Sequence, residues 1–337
     1  MTQARLDRVD APLLVVEDVV VHHRLRDGQM LEAVAGVSFE VARGETVGLV
    51  GESGCGKTSL GRAVMQLPPP TSGRIRLDGV TLGTMSRREL RRQRTKFQMV
   101  MQNPLASLNP RRTVLDSVAE PLRAQGERDH VVERAREAIA DVELDPDVFG
   151  DRLPGALSGG QRQRVSIARA LVTAPSLLIC DEPVSALDVS VQAHVLNLLE
   201  DLKGRFSLAM VFVAHDLAVV LNVSDRVAVM YLGKICEVGP SAELGVQPAH
   251  PYTRLLLDSI PRIEVDGAHA DAPVAPPSEP PSPLAPPSGC RFRTRCPVAS
   301  ARCASEEPVL RTIGAGREVA CHHPLGNGMS DPPPAGR

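Results

Sequence analysis

Residues 51–58 read Gly-Glu-Ser-Gly-Cys-Gly-Lys-Thr and follow Thr46–Val50, an apolar run that is typical of a buried strand. They match the pattern G-x-x-x-x-G-K-[ST] of a phosphate-binding loop, which joins a strand to a helix. Glycines let backbone N–H groups turn toward phosphate oxygens, and the positive end of the next helix, predicted from Lys57 to Met65, points at the same anion. We expect Lys57 to contact the β- and γ-phosphates and the Thr58 hydroxyl to bind Mg²⁺. The predicted nucleotide-binding residues of this loop are Gly51, Glu52, Ser53, Gly54, Cys55, Gly56, Lys57, Thr58 and Ser59.

Short apolar runs alternate with helical patterns along the rest of the chain. Further strands are predicted at Leu177–Cys180, Ala209–Val213 and, as a hairpin around Gly233, at Val227–Tyr231 and Ile235–Val238. Helices are predicted at 131–142, 158–173 and 191–203. The alternation predicts an α/β fold with a mainly parallel sheet that is covered on both faces.

Composition and charge exclude several classes of protein. The 337 residues are 43% hydrophobic and 23% charged, with a formal net charge of −2, so no global basic field indicates a nucleic-acid partner. No apolar run reaches the ~20 residues that cross a bilayer, and residues 1–12 lack the apolar stretch of a secretory signal. A cytoplasmic location is therefore expected, where structural disulfides are uncommon.

Two acidic residues end a predicted strand. Asp181 and Glu182 follow Leu177–Cys180, and carboxylates at the carboxyl end of such a strand lie where α/β sheets bind ligands. We expect Asp181 to hold Mg²⁺ and Glu182 to act as the general base toward the attacking water. Taken alone, the pair could equally cap the next helix.

The stretch Leu157-Ser-Gly-Gly-Gln161, followed by Arg-Gln-Arg164, resembles the signature motif of the ATP-binding cassette (ABC) ATPases. From the residues alone, it is a capped helix start and a second anion site. The resemblance implies that two cassettes pack head to tail, and that each signature closes on the ATP of the other. The signature residues that are expected to contact nucleotide are Ser158, Gly159, Gly160 and Gln161.

Further positions resemble the family. Gln102 resembles the glutamine that touches Mg²⁺ and the attacking water, and His215 the switch histidine that contacts the γ-phosphate. Ser185-Ala-Leu-Asp188 resembles the loop at the dimer interface. His23 stands where the family commonly has an aromatic ring under adenine; an ordinary surface position is the alternative.

The resemblance covers about residues 13–262 and implies a P-loop NTPase fold with a RecA-like core, an antiparallel β subdomain and a helical subdomain. We expect an ABC ATPase domain at 12–262 with the helical subdomain at about 95–170. Because eight of the fifteen residues 273–287 are Pro, a linker is predicted at 263–288. A small Cys-bearing C-terminal extension at 289–325 and a disordered tail at 326–337 complete the predicted domains.

Several stretches resemble one branch of the family, the oligopeptide/dipeptide importers. They are the loop Gln102–Pro110, the segment that begins at His250-Pro-Tyr-Thr-Arg254, and the tail stretches Gly289–Pro297, Cys303 and Ala320–Pro324. The resemblance implies an ATPase at the cytoplasmic face of the membrane, with a related second ATPase subunit, two permease subunits and an extracytoplasmic substrate-binding protein. Import of nickel or another small solute by the same machinery is an alternative, and a soluble ABC ATPase or a non-catalytic regulatory cassette is a more distant one.

The C-terminal cysteines are spaced C-x5-C-x6-C-x17-C, at Cys290, Cys296, Cys303 and Cys321. Four thiolates suit a [4Fe–4S] cluster or zinc, and reduced unliganded thiols are the third alternative. The resemblance favours the cluster. Cys180 and Cys236 lie in predicted strands and are expected to be core residues. The neighbouring basic residues are predicted to form a solvated loop face, although an anion site is an alternative; they are Arg291, Arg293 and Arg295.

Overall fold

The structure is a computed structural model that describes residues 11–260, 279–314 and 316–326. Most of the predicted linker at 263–288, and all but the first residue of the predicted tail at 326–337, lie outside the described residues.

The described strands are β1 (Leu14–Arg24), β2 (Met30–Val41), β3 (Thr46–Val50), β4 (Ser72–Leu77), β5 (Val80–Thr81), β6 (Phe97–Val100), β7 (Leu177–Asp181), β8 (Ala209–Ala214), β9 (Arg226–Tyr231), β10 (Lys234–Pro240), β11 (Arg311–Gly314) and β12 (Arg317–Val319).

The described α-helices are α1 (Lys57–Val64), α2 (Arg87–Gln93), α3 (Pro104–Ser107), α4 (Val114–Gln125), α5 (Val131–Asp141), α6 (Pro146–Phe149), α7 (Gly159–Leu171), α8 (Val189–Phe206), α9 (Leu217–Val223), α10 (Ser241–Val246), α11 (Pro251–Asp258) and α12 (Ala301–Ser305). Short 3₁₀ turns lie at Leu82–Thr84 and Pro154–Ala156.

The chain forms two compact units, each built from separate stretches of sequence. Unit 1 contains the residues up to Glu17, Ser38–Thr46 and Gly61–Ala214. Unit 2 contains Asp18–Val37, Val47–Leu60 and the residues from His215 onward.

Unit 1 contains the parallel strands β6, β7 and β8. β7 pairs with β6 on one side and with β8 on the other, so that Asp181 lies opposite Val213. Every residue of β7 and β8 is buried, as continuous apolar runs in a parallel sheet predict. α7 packs against α4, α5 and β6. The sheet therefore presents the acidic end of β7 beside the end of β8.

Unit 2 is built around β3, which pairs in parallel with β9. β9 and β10 form the predicted antiparallel hairpin, which turns at Leu232 and Gly233 in left-handed backbone conformations. The C-terminal segment extends this sheet, because β10 pairs with β12 and β12 with β11. The predicted hairpin and the predicted strand ahead of the Gly-rich loop are thus confirmed.

Among the described residues, no helix combines the length and the apolar character that crossing a bilayer requires.

Candidate active site

The Gly-rich loop in unit 2 depends on glycine at one position for two independent reasons. Gly56 has a φ of 107°, and a Cβ built there would lie 2.1 Å from the Ala33 carbonyl oxygen. Gly54 also has a positive φ, 80°, but a Cβ there would meet nothing within 4 Å. The bare backbone at both positions fits a cradle for phosphate oxygens.

Lys57 is buried and turns its ammonium group into this loop. Its Nζ donates to the carbonyl oxygens of Gly51, at 2.6 Å, and Glu52, at 3.1 Å. Cys55 lies beside it, and burial raises the pKa of the Cys55 thiol, which keeps the thiol neutral. The loop therefore holds one ammonium group that can pair with an anionic ligand. Cys55 packs beside it as a small buried residue.

His23, the residue at the expected adenine position, contacts the first helix of the site. Its Nε2 and the Ser59 hydroxyl are joined by a hydrogen bond of 2.9 Å. The bond fixes the imidazole of β1 against α1, and so brings together two of the predicted nucleotide-binding residues. Thr58 lies between Lys57 and Ser59 in the first turn of that helix.

In unit 1, two of the predicted catalytic side chains are in direct contact. Gln102 Nε2 donates to Glu182 Oε2 at 2.8 Å. Glu182 has a φ of 47°, an uncommon conformation for a residue other than glycine, and its N–H donates to the Val213 carbonyl at 2.9 Å. Asp181, at the end of β7, is buried. The geometry suits a carboxylate that is held by the sheet and oriented by an amide.

The signature residues form the start of α7. Ser158 accepts from the Gln161 N–H and Gln161 Oε1 accepts from the Ser158 N–H, which is a capping box. A Cβ at Gly160 would lie 2.5 Å from a methyl group of Val191 in α8. The glycine is therefore needed for close packing of the two helix starts.

The predicted interface loop Ser185–Asp188 leads directly into α8. Asp188 is the N-cap of that helix and accepts from the Val191 N–H at 3.0 Å. Hydrogen bonding, chiefly from Ser190, lowers the pKa of the Asp188 carboxyl. Val191 thus links the two motifs, because its N–H bonds to Asp188 of the interface loop and its side chain packs on Gly160 of the signature.

His215 directly follows β8 and is exposed. The next residue, Asp216, caps α9 by accepting from the Ala218 N–H at 2.8 Å. The capping residue is thus Asp216, and the switch role of His215 stays a prediction.

The structure corrects the expected solvated face of Arg291 and Arg295. Arg295 is 3% exposed and pairs with both carboxylate oxygens of Glu52, at 2.8 and 2.9 Å. Arg291 Nη2 donates to Glu32 at 2.8 Å, and Nη1 donates to the Leu232 carbonyl. Arg293, in contrast, donates to the Ser288 carbonyl at 2.9 Å at the surface. The local sequence carries no signal for these pairs, because each carboxylate lies more than 240 residues earlier.

The four C-terminal cysteines all lie in the described part of unit 2. Cys290, Cys303 and Cys321 are buried and Cys296 is half-buried. Burial raises the pKa of the Cys296 thiol to about 11 and that of Cys321 to about 12. Among the described residues, which include all four cysteines, no group of three or more His, Cys, Asp or Glu could hold a metal ion. The [4Fe–4S] cluster and its zinc alternative stay predictions from the sequence.

The remaining cysteines pack as the sequence predicts. Cys180 in β7 and Cys236 in β10 are both buried, and burial raises the pKa of the Cys180 thiol to about 12. Both act as small core residues.

Comparison with known proteins gives two family matches. Residues 34–185 match the ABC transporter family, and residues 236–303 match the C-terminal region of oligopeptide/dipeptide transporters. The chain is 47% identical to the oligopeptide transport ATP-binding protein OppF of Escherichia coli, over 88% of this chain and 92% of that protein. It is 45% identical to the di/tripeptide transport ATP-binding protein DppF of Pseudomonas aeruginosa, over 92% of this chain and 97% of that protein.

A solved structure shows the same fold. A dimeric ATP-binding cassette in a post-hydrolysis state, bound to ADP and Pi, matches with a TM-score of 0.61 and 28% identity. The match covers 68% of this chain and 98% of that one.

Proposed function

Because this chain belongs to the ABC transporter ATPases and to their oligopeptide/dipeptide branch, we propose that it is the ATP-hydrolysing subunit that energises import of oligopeptides or dipeptides across the cytoplasmic membrane. The observation that carries the catalytic part is the hydrogen bond of 2.8 Å between Gln102 and Glu182 at the end of β7. The match to the transporters' C-terminal region supports the peptide substrate.

Each predicted residue has a role in ATP hydrolysis. The Gly-rich loop and Lys57 bind the phosphates, and His23 lies on the adenine side. Glu182, oriented by Gln102, accepts the proton of the attacking water, and His215 contacts the γ-phosphate. Mg²⁺, when bound, neutralises charge on the phosphate oxygens. The residues that would hold it have oxygen donors of the kind that Mg²⁺ prefers, and they are Thr58, Gln102 and Asp181.

The partners follow from the same proposal. A second cassette supplies its own signature to the ATP of this chain, as Ser158, Gly159 and Gly160 do for the partner, and Asp188 lies at that interface. Permease subunits receive the closing motion through the surface near Gln102–Pro110, where Met101 and Leu105 are exposed large apolar side chains. The chain then lies at the cytoplasmic face, and a substrate-binding protein delivers the peptide from outside.

Replacing the general base tests the catalytic assignment. Glu182→Gln keeps the shape and one acceptor oxygen but cannot take a proton, so ATP binding should persist while kcat falls by at least about 100-fold. The control is Glu200→Gln on the exposed face of α8, which should match the wild type. ATPase activity of Glu182→Gln close to that of the wild type contradicts the assignment.

Stimulation of the assembled transporter separates the two substrate classes. Oligopeptides or dipeptides, presented with the substrate-binding protein, should raise the ATPase rate of the wild-type complex. Stimulation by Ni²⁺ and not by peptides would replace the peptide assignment with the nickel alternative.

A further inference from the structure

The C-terminal segment contacts the Gly-rich loop through an ion pair in which the guanidinium is buried and the carboxylate is partly exposed. The Arg295 side chain is 1% exposed, and its two terminal nitrogens donate to the two carboxylate oxygens of Glu52. Nη1 also donates to the Tyr231 hydroxyl at 3.3 Å. Planar two-point pairing of this kind fixes both the position and the orientation of the carboxylate.

The backbone of the same loop residue is held by a second element. The Glu52 N–H donates to the Tyr252 hydroxyl at 2.9 Å, and Tyr252 in α11 is fully buried. Phe292 packs on the rings of Tyr231 and Tyr252, with ring centroids 5.3 Å apart in both cases. Glu52 thus directs both its N–H and its carboxylate at protein partners.

The far end of the loop is held by the turn of the β9–β10 hairpin, which Arg291 contacts in turn. The Cys55 carbonyl accepts from the Gly233 N–H at 2.8 Å. The residue before Gly233 is Leu232, and its carbonyl accepts a hydrogen bond from Arg291. The Arg291 guanidinium also pairs with Glu32. Arg295 thus contacts the loop directly, whereas Arg291 contacts the hairpin turn that holds the far end of the loop.

We propose that the segment Arg291–Arg295, termed the brace, positions the phosphate-binding loop, with Arg295 as its main positioning residue through Glu52. The proposal rests on the function proposed above. A buried guanidinium requires a carboxylate, and Glu52 is the carboxylate that Arg295 contacts. The pair therefore favours the loop conformation in which Glu52 faces the brace and the bare backbone of Gly54 and Gly56 remains available to phosphate.

The expected effect is on ATP affinity rather than on the chemical step. If the pair sets the fraction of molecules with a competent loop, the apparent Kd equals the intrinsic Kd divided by that fraction. Loss of a charged hydrogen-bonded pair should then weaken ATP binding by about 10-fold. Because the hydrogen bonds of Arg295 go to Glu52 and Tyr231 and not to a proposed catalytic residue, kcat at saturating ATP should stay within about twofold of the wild type.

The test uses the full chain with Mg²⁺–ATP as the probe and titration calorimetry as the measurement. Arg295→Gln should raise the Kd by about 10-fold, Arg295→Lys less, and Glu52→Gln by an amount similar to Arg295→Gln. The double variant should be no worse than the weaker-binding single variant, because both changes remove one interaction. Arg302→Gln is the matched control, since Arg302 makes a two-point pair with Glu306 at the surface of the same C-terminal extension, outside the brace. KM and kcat in the assembled transporter complete the comparison.

The outcomes separate the brace from the function on which it rests. Wild-type Kd in a folded Arg295→Gln chain, additive effects in the double variant, or an equal loss in Arg302→Gln overturns the brace alone. Failure of the wild-type chain to bind ATP overturns both proposals. If circular dichroism shows that Arg295→Gln does not fold, Arg295→Lys and Glu52→Gln decide, and unchanged affinity in both overturns the brace.

Discussion

Gly56 must be glycine for two reasons: its backbone has a positive φ, and a Cβ there would clash with the Ala33 carbonyl. Only the first reason applies to the neighbouring Gly54, since a Cβ there would meet no atom within 4 Å. Substitutions at Gly54 and Gly56 therefore distinguish backbone strain from steric exclusion within one loop.

Alanine at the two glycines should destabilise the protein unequally. Gly54→Ala should lower the free energy of unfolding by about 1–2 kcal/mol, the cost of a left-handed conformation for a residue with a Cβ. Gly56→Ala should lower it by about 1–3 kcal/mol more, because the Cβ would displace the Ala33 carbonyl. Urea unfolding without nucleotide measures both, and equal losses would contradict the steric part.

At the residue scale, the sequence predicts a site residue when the element that positions it lies nearby in the chain. The Gly-rich loop and the pair Asp181-Glu182 were visible because each lies within a few residues of the strand that positions it. The role of Arg295 was not, because its partner Glu52 is 243 residues away and an Arg-rich stretch is typical of a solvated loop. Burial of that guanidinium is a property of tertiary packing only.

Among the elements, α11 depends on a buried histidine at its N-terminus. His250 Nδ1 accepts from the Tyr252 N–H at 3.0 Å, and Pro251 occupies the first helical position. The His250 N–H donates to the buried carboxylate of Glu237 at 2.8 Å. Burial lowers the pKa of the His250 imidazole to about 4.

This histidine should make stability depend on pH. Between the ordinary pKa of 6.5 and about 4, the unfolded chain binds a proton on His250 that the folded chain does not. Stability from this residue is therefore complete above pH 6.5 and is lost as the pH falls toward 4, by about 3 kcal/mol in total. Urea unfolding between pH 7 and pH 4 measures the loss.

A paired substitution identifies the source of that dependence. His250→Asn keeps a side-chain acceptor at the N-cap but does not titrate, so the dependence should become shallower. The exposed N-cap residue His130 is the control, and His130→Asn should retain the wild-type dependence. An unchanged pH dependence in His250→Asn would assign the effect to other groups.

The sequence predicts best those helices and strands that show a regular spacing of apolar residues. The predicted helices at 131–142 and 191–203 correspond to α5 and α8, which end within a few residues of the expected bounds. β11 and β12 were not predicted, because they are short and β11 is largely exposed, so no alternation of buried and exposed residues marks it. β12 is held in the sheet by pairing with β10, and a pairing between strands so far apart in the chain cannot be predicted from local sequence patterns.

On the scale of the whole molecule, the aromatic side chains are few and unevenly placed. The chain has two Tyr and no Trp, and both tyrosines, Tyr231 and Tyr252, lie in the cluster with Phe292. Tyrosine emission of the full protein therefore reports on one region, which adjoins Glu52 of the phosphate-binding loop.

Nucleotide binding should stabilise the folded protein, and tyrosine fluorescence should report the change. With Glu182→Gln to prevent turnover, Mg²⁺–ATP at 100 times its Kd should add about 2.7 kcal/mol to the stability of the binding-competent fold. The midpoint of thermal unfolding followed by tyrosine fluorescence should rise accordingly. Lys57→Ala, which removes the buried ammonium, should abolish the rise, and an equal rise in that variant would contradict the placement of the phosphates.

The contact between Arg295 and Glu52 also has a consequence for synthesis. A ribosome adds Arg295 243 residues after Glu52, so the nascent chain carries the complete Gly-rich motif long before its brace. A product cut short within the Pro-rich stretch retains every ATPase motif but lacks Arg291 and Arg295. If the brace acts as proposed, tight ATP binding begins only once synthesis has passed Arg295.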